Sequence, residues 1–136
     1  MTRPKRKREY DSQPKYLLEF TIPDLPATAN AIGRSHWAVR AKNSRKWRDL
    51  VVDSVYRRKR PVEALRRACL TLTRNSSVEP DYDNLVHSFK PVIDGLVESQ
   101  VIANDDPATI GQPHYRWAAA KRNRGFVVVR VEEEAS

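Results

Sequence analysis

The sequence predicts an α+β fold, a small mixed sheet of about four strands with two main helices in the order β-α-β-α-β-β. Three observations carry this. Short stretches with a period of two stand near both ends of the chain, a stretch with helical period lies between them, and proline and glycine punctuate the joins. At 136 residues the chain has the length of one domain, and 40% hydrophobic residues are enough for one core.

Tyr16–Ile22 reads as the first strand: Leu18, Phe20 and Ile22 alternate with Leu17, Glu19 and Thr21, and Pro23 and Pro26 end it. Trp37–Arg58 reads as a helix, with Trp47, Leu50, Val51 and Val55 forming an apolar stripe and Trp47 assigned to the core. Arg67–Thr73 reads as the second strand, with Leu70 and Leu72 on one face. A second helix is expected between Asp83 and Glu98, N-capped by Asp83 or Asn84. Pro91 falls inside it. Either the helix kinks there, or it starts late with Ser88 as N-cap, leaving Asp83 and His87 in a loop. His114–Ala120 and Phe126–Val131 read as closing strands joined by a turn near Asn123–Gly125. Residues 15–132 form the single domain, 1–14 a disordered basic arm and 133–136 a frayed tail.

The charge distribution points to function. The net charge is +8, and residues 1–70 hold 18 Lys/Arg against 7 Asp/Glu. Residues 79–106 hold seven acids and one base, Lys90. A basic molecule attracts a polyanion, most obviously nucleic acid. A compact acidic island would repel that polyanion unless cations neutralised it, and carboxylate oxygens suit Mg²⁺ or Mn²⁺. The plain alternative is solvated surface charge. Cys69 is the only cysteine, which excludes an internal disulfide and fits a reducing cytosol; it reads as a small buried apolar residue. The lack of a long apolar run argues against a membrane span, and the charged N-terminus against a secretory signal.

Within the island, Asp81 and Asp83 are two apart and would leave one face if extended. Held that close they repel, a repulsion a cation between them would remove. Asp83, His87, Lys90 and Asp94 share one face of a regular helix, opposite Leu85, Val86, Phe89, Val92, Ile93 and Leu96. Asp105 and Asp106 close the segment.

The stretch PDYDNLVHSFKPVIDGLVESQVIANDD, Pro80–Asp106, resembles the signature of RusA-type Holliday junction resolvases: an acid-x-acid followed by Asn-Leu, a helix with Lys and Asp-x-Leu, and a closing Asp-Asp. The Ile-Pro after the first strand, Asn30, and Arg34-x-His36-Trp37 agree with the family's N-terminal half, so the resemblance spans about residues 16–131. It implies a homodimeric bacterial, phage or prophage endonuclease that cuts four-way DNA junctions symmetrically with Mg²⁺ or Mn²⁺ and needs no small-molecule cofactor. The implied catalytic residues are Asp81, Asp83, Asp106 and Lys90, with Asp105 beside them as a further metal ligand. Asp94 and His87 are implied as supporting residues. Lys90 stands one helical turn later than the family's lysine, and His87 occupies the usual offset. Asn30, Arg34, His36, Trp37, Arg40, Lys42 and Arg45 are the expected DNA contacts. Two further readings stay open: a non-catalytic nucleic-acid-binding protein, and a nuclease for other branched DNA.

Overall fold

The computed structural model describes residues 15–28 and 37–135. The basic arm and Asn30, Arg34 and His36 lie outside the described residues. The chain forms an α+β domain built on one four-stranded mixed sheet. Strand β1 is Leu17–Ile22, helix α1 is Trp37–Tyr56 and strand β2 is Ala68–Ser76. Helices α2 (Tyr82–Ser88), α3 (Lys90–Glu98) and the short α4 (Pro107–Ile110) follow, then β3 (His114–Ala119) and β4 (Phe126–Glu133).

The sheet order is β1-β4-β2-β3. The last strand is therefore interior and pairs antiparallel with both β1 and β2, while β3 runs parallel to β2. The expected turn near Asn123–Gly125 is present, closed by the Arg124 amide on the Lys121 carbonyl with Asn123 at φ 64°, but the two strands it joins are not sheet neighbours. The chain leaves β3, crosses the end of β2 and enters β4 on its far side; the Ala120 amide bonds the Ser76 carbonyl at the crossing. Because β1 and β2 both oppose β4, the strands β1, β2 and β3 all end at the same edge of the sheet. β2 runs three residues beyond its expected end, and β4 reaches Glu133. Glu133, assigned to the frayed tail, is thereby drawn into pairing opposite Ala68, next to Glu132, which faces Leu17 and Cys69.

Helices cover one sheet face. The period of two in β1 and β4 sends Leu18, Phe20, Ile22, Val127, Val129 and Val131 inward, where they meet Leu70 and Leu72 of β2. From the other side come Trp47, Val51 and Val55 of α1 and Phe89, Val92 and Leu96 around α3. Trp47 is a core residue as expected, and its truncation to alanine would cost about 3–5 kcal/mol. Helices α1 and α3 cross closely because Gly95 has no side chain: a Cβ there would stand 2.7 Å from the Val51 Cβ. On the opposite face Arg130 bridges Glu19 and Glu132. Cys69 departs from its expected burial. It alternates out of phase with the core on β2 and is half-buried, its thiol pushed up in pKa by partial burial and then by Glu134 and Glu132.

Pro91 resolves as a kink rather than a late start. The helix begins at Tyr82, and Phe89 both ends α2 and leads α3 while keeping helical torsions (φ −91°, ψ −2°). Its amide takes a tighter bond to the Val86 carbonyl and its carbonyl accepts from Ile93. Pro91 has no N–H for the carbonyl one turn back, so the ladder breaks there and resumes. Ser88 is not an N-cap; its hydroxyl donates back to the Leu85 carbonyl at 2.7 Å.

Candidate functional site

The strand ends gather three connections at one edge of the sheet: that after β1, the 77–81 segment after β2, and the link between β3 and β4. Two of them touch. A Cβ on Gly125 would lie 2.3 Å from a Leu25 methyl, so the β3–β4 link packs against the segment after β1 only with glycine there. The exit from β2 is fixed by Ser76, whose hydroxyl accepts from the Trp117 indole at 2.9 Å and donates to the Val78 carbonyl at 2.8 Å. This edge is where open sheets with parallel strands present their ligand-binding crevices.

An open depression of about 350 Å³ lies there, lined by Thr28, Arg74, Val78, Glu79, Pro80, Asp81 and Asn84. Asp81 stands in the N-cap position of α2, with φ −58° and ψ 151°, but its side chain does not cap. Asp83 sits in the first helical turn. The expected extended Asp81–Asp83 pair is thus replaced by a strand-to-helix corner, because the helix begins at Tyr82 and not at Asp83 or Asn84. Both carboxylates are exposed, and among the described residues neither is hydrogen-bonded or ion-paired through its side chain.

One helical repeat further on, Lys90 gathers two of the other acids. Its Nζ donates to Asp94 Oδ1 at 2.9 Å and to Asp105 Oδ2 at 3.0 Å. Donating hydrogen bonds to Asp94 and then to Asp105 raises the ammonium pKa, so Lys90 remains a cation, and the bond to Asp105 holds that carboxyl below its ordinary value. Tyr115 of β3 stands alongside, its ring 6.1 Å from Phe89 and edge-on to Tyr82 at 6.3 Å. Burial, then the neighbouring Tyr82, raises the Tyr115 pKa against the opposing pull of Lys90.

Asp106 has a different task. It precedes Pro107, caps α4, and accepts from the Thr109 amide at 3.1 Å through Oδ1. An Asp followed by proline and a short helix is a common start signal, and the orphan amide of the first turn explains why the carboxylate is drawn there. The structure therefore does not bring Asp81, Asp83, Asp105 and Asp106 into one cluster. Among the described residues no group of three or more His, Cys, Asp and Glu is placed to hold a metal ion. Lys90 to Asp83 is seven residues, about 10 Å along a helix axis. His87 is exposed on α2 between them.

The basic side is α1. Trp37, Arg40, Lys42 and Arg45 are exposed on its first half, while Lys46 is tied to Asp24 at 2.9 Å. The helix runs back from the strand-end edge, so this half lies toward the edge that carries Asp81. Arg74 was missed by sequence reading, because an arginine near the end of an alternating strand reads as surface; its inward phase with Leu70 and Leu72 was the available signal. Among the described residues no helix is long and apolar enough to cross a membrane. Compared with family models and with curated proteins, the sequence matches none.

Proposed function

We propose that this chain is a divalent-cation-dependent endonuclease of branched DNA, four-way junctions foremost, acting as a homodimer. One observation carries the reading: in a molecule of net charge +8 with exposed basic residues along the first half of α1, Asp81 and Asp83 stand exposed at the strand-end edge and, among the described residues, unpaired. Unpaired acids on a polyanion-binding surface weaken binding unless a cation joins them. Their oxygen donors fit Mg²⁺ or Mn²⁺, and these two residues would hold it. Asp105 and Asp106 do not fit that role in the arrangement seen, since Lys90 and the Thr109 amide occupy them. A bound cation supplies charge neutralisation and a more acidic water. The chain's own part is to attract the strand through Arg40, Lys42 and Arg45 and to present the Lys90 ammonium, held in place by Asp94 and Asp105. The resemblance of Pro80–Asp106 to the RusA-type signature supports the junction as substrate.

A second reading, a non-catalytic nucleic-acid-binding protein, is favoured by the engagement of Lys90 and by the scattered acids. The two part on one assay. Purified protein is incubated with a labelled four-way junction, a flapped duplex and a linear duplex, in Mg²⁺ or in EDTA. Paired nicks in the junction that need Mg²⁺ support the first reading. Binding without any cutting leaves the second, and preference for the flap shifts the substrate to other branched DNA.

A further inference from the structure

Arg74 is an unusual residue for its place. It points inward from β2 in phase with Leu70 and Leu72, and only 9% of it is exposed. Its Nη1 donates to the Pro26 carbonyl at 2.7 Å. A guanidinium carries five N–H donors, and among the described residues this one makes no ion pair. Desolvation pulls its pKa below the ordinary arginine value, though it remains a cation. Buried charges are costly unless paired. The group also lines the depression that Asp81, Asn84, Glu79 and Thr28 share.

We propose that Arg74 is the floor of a phosphate-binding subsite, where its guanidinium takes the non-bridging oxygens of one backbone phosphodiester beside Asp81. A planar fork of donors matches those oxygens in a two-point contact. The Pro26 bond fixes the orientation of that fork before the ligand arrives, so little side-chain freedom is lost on binding. The Asn84 amide lines the same space and adds a neutral donor. Opposite charges lining one depression without pairing fit a ligand that meets both, a phosphodiester oxygen at the arginine and a cation at the acid. The inference rests on the nucleic-acid part of the proposed function, not on catalysis.

The test is binding in EDTA, where cutting plays no part. Fluorescence anisotropy of a labelled junction and of a linear duplex is followed against salt for the wild type, Arg74→Gln and Arg74→Lys. Losing one phosphate contact lowers the slope of log affinity on log salt by about one. Affinity falls roughly tenfold, as for a lost charge-assisted hydrogen bond. Arg74→Gln is expected to show both losses, and Arg74→Lys to keep the slope. An unchanged slope in Arg74→Gln, or a wild type that binds neither DNA, overturns the proposal and leaves Arg74 as a tie to Pro26. Should Arg74→Gln fail to unfold cooperatively, the wild-type Arg74 Nε–H NMR signal decides. It must move when duplex is added, and a stationary signal overturns the subsite. Wild-type protein that binds through Arg74 but never cuts removes the nuclease reading and leaves this one standing.

Discussion

The ammonium of Lys90 lies 3.0 Å from the Asp105 carboxylate, which joins the start of α3 to the chain fifteen residues later. The tie runs from α3 to the segment that leads into α4, and Asp94 completes it on the helix itself. It puts a lysine, the sole base of the acidic island, under the control of two carboxylates.

The pH behaviour of that pair has a definite sign. Hydrogen bonding to Lys90 lowers the folded-state pKa of Asp105 below the unfolded value. Its contribution to stability is therefore present above the ordinary aspartate range, about pH 4, and is lost as pH falls through the lower folded-state value. In Lys90→Met the Asp105 carboxyl is expected to titrate higher, near ordinary aspartate, when followed by carbon NMR. A carboxyl that titrates unchanged in the variant would show that the contact does not persist in solution.

Asp83→Asn is expected to abolish junction cutting, with a loss above the roughly 100-fold typical of residues that only support a metal's ligands. Binding in EDTA should hold or tighten, because one repulsive charge is gone. Gel assays of cutting and of mobility separate the two. Wild-type cutting by the variant would remove Asp83 from the site.

Packing at the strand-end edge gives a sharper structural test. Gly125→Ala drives a methyl into Leu25 and should destabilise by about 1–3 kcal/mol in urea unfolding. Leu25→Ala removes the atoms in the way, so the double variant should lose less than the two single losses combined. Strict additivity would mean the two connections do not touch.

Light scattering or sedimentation at micromolar concentration should give twice the chain mass of 15.7 kDa. Two copies related by a two-fold axis would present two acidic corners to opposite arms of a junction. A single-chain mass that persists with junction DNA and Mg²⁺ would exclude paired symmetric nicks.

Much of the fold was legible in the sequence because its signals are local. The alternation of Leu18, Phe20 and Ile22 and the spacing of Trp47, Val51 and Val55 each report one buried face. The order of strands was not legible. Nothing near Asn123–Gly125 says that β2 intervenes between β3 and β4, since that depends on which distant strand accepts the hydrogen bonds. The acids followed the same rule. Asp81 and Asp83 stood out as a motif, and the Lys90–Asp94 contact follows from helical spacing. The capture of Asp105 by Lys90 and of Asp106 by the Thr109 amide depends on where a kinked helix and a short capped turn bring them.

The interior position of β4 bears on how the molecule is made. Leu17 pairs with Glu132, so β1 has no strand to join until the more than one hundred residues that separate them have been made. Until then its apolar face, Leu18, Phe20 and Ile22, has only α1 and the later helices to shelter it. Such long-range closure slows folding and prolongs exposure of sticky strands. A stalled or clipped chain ending before Phe126 would lose the strand that bonds β1 to β2, and would be a substrate for chaperones and proteases rather than a partly working protein.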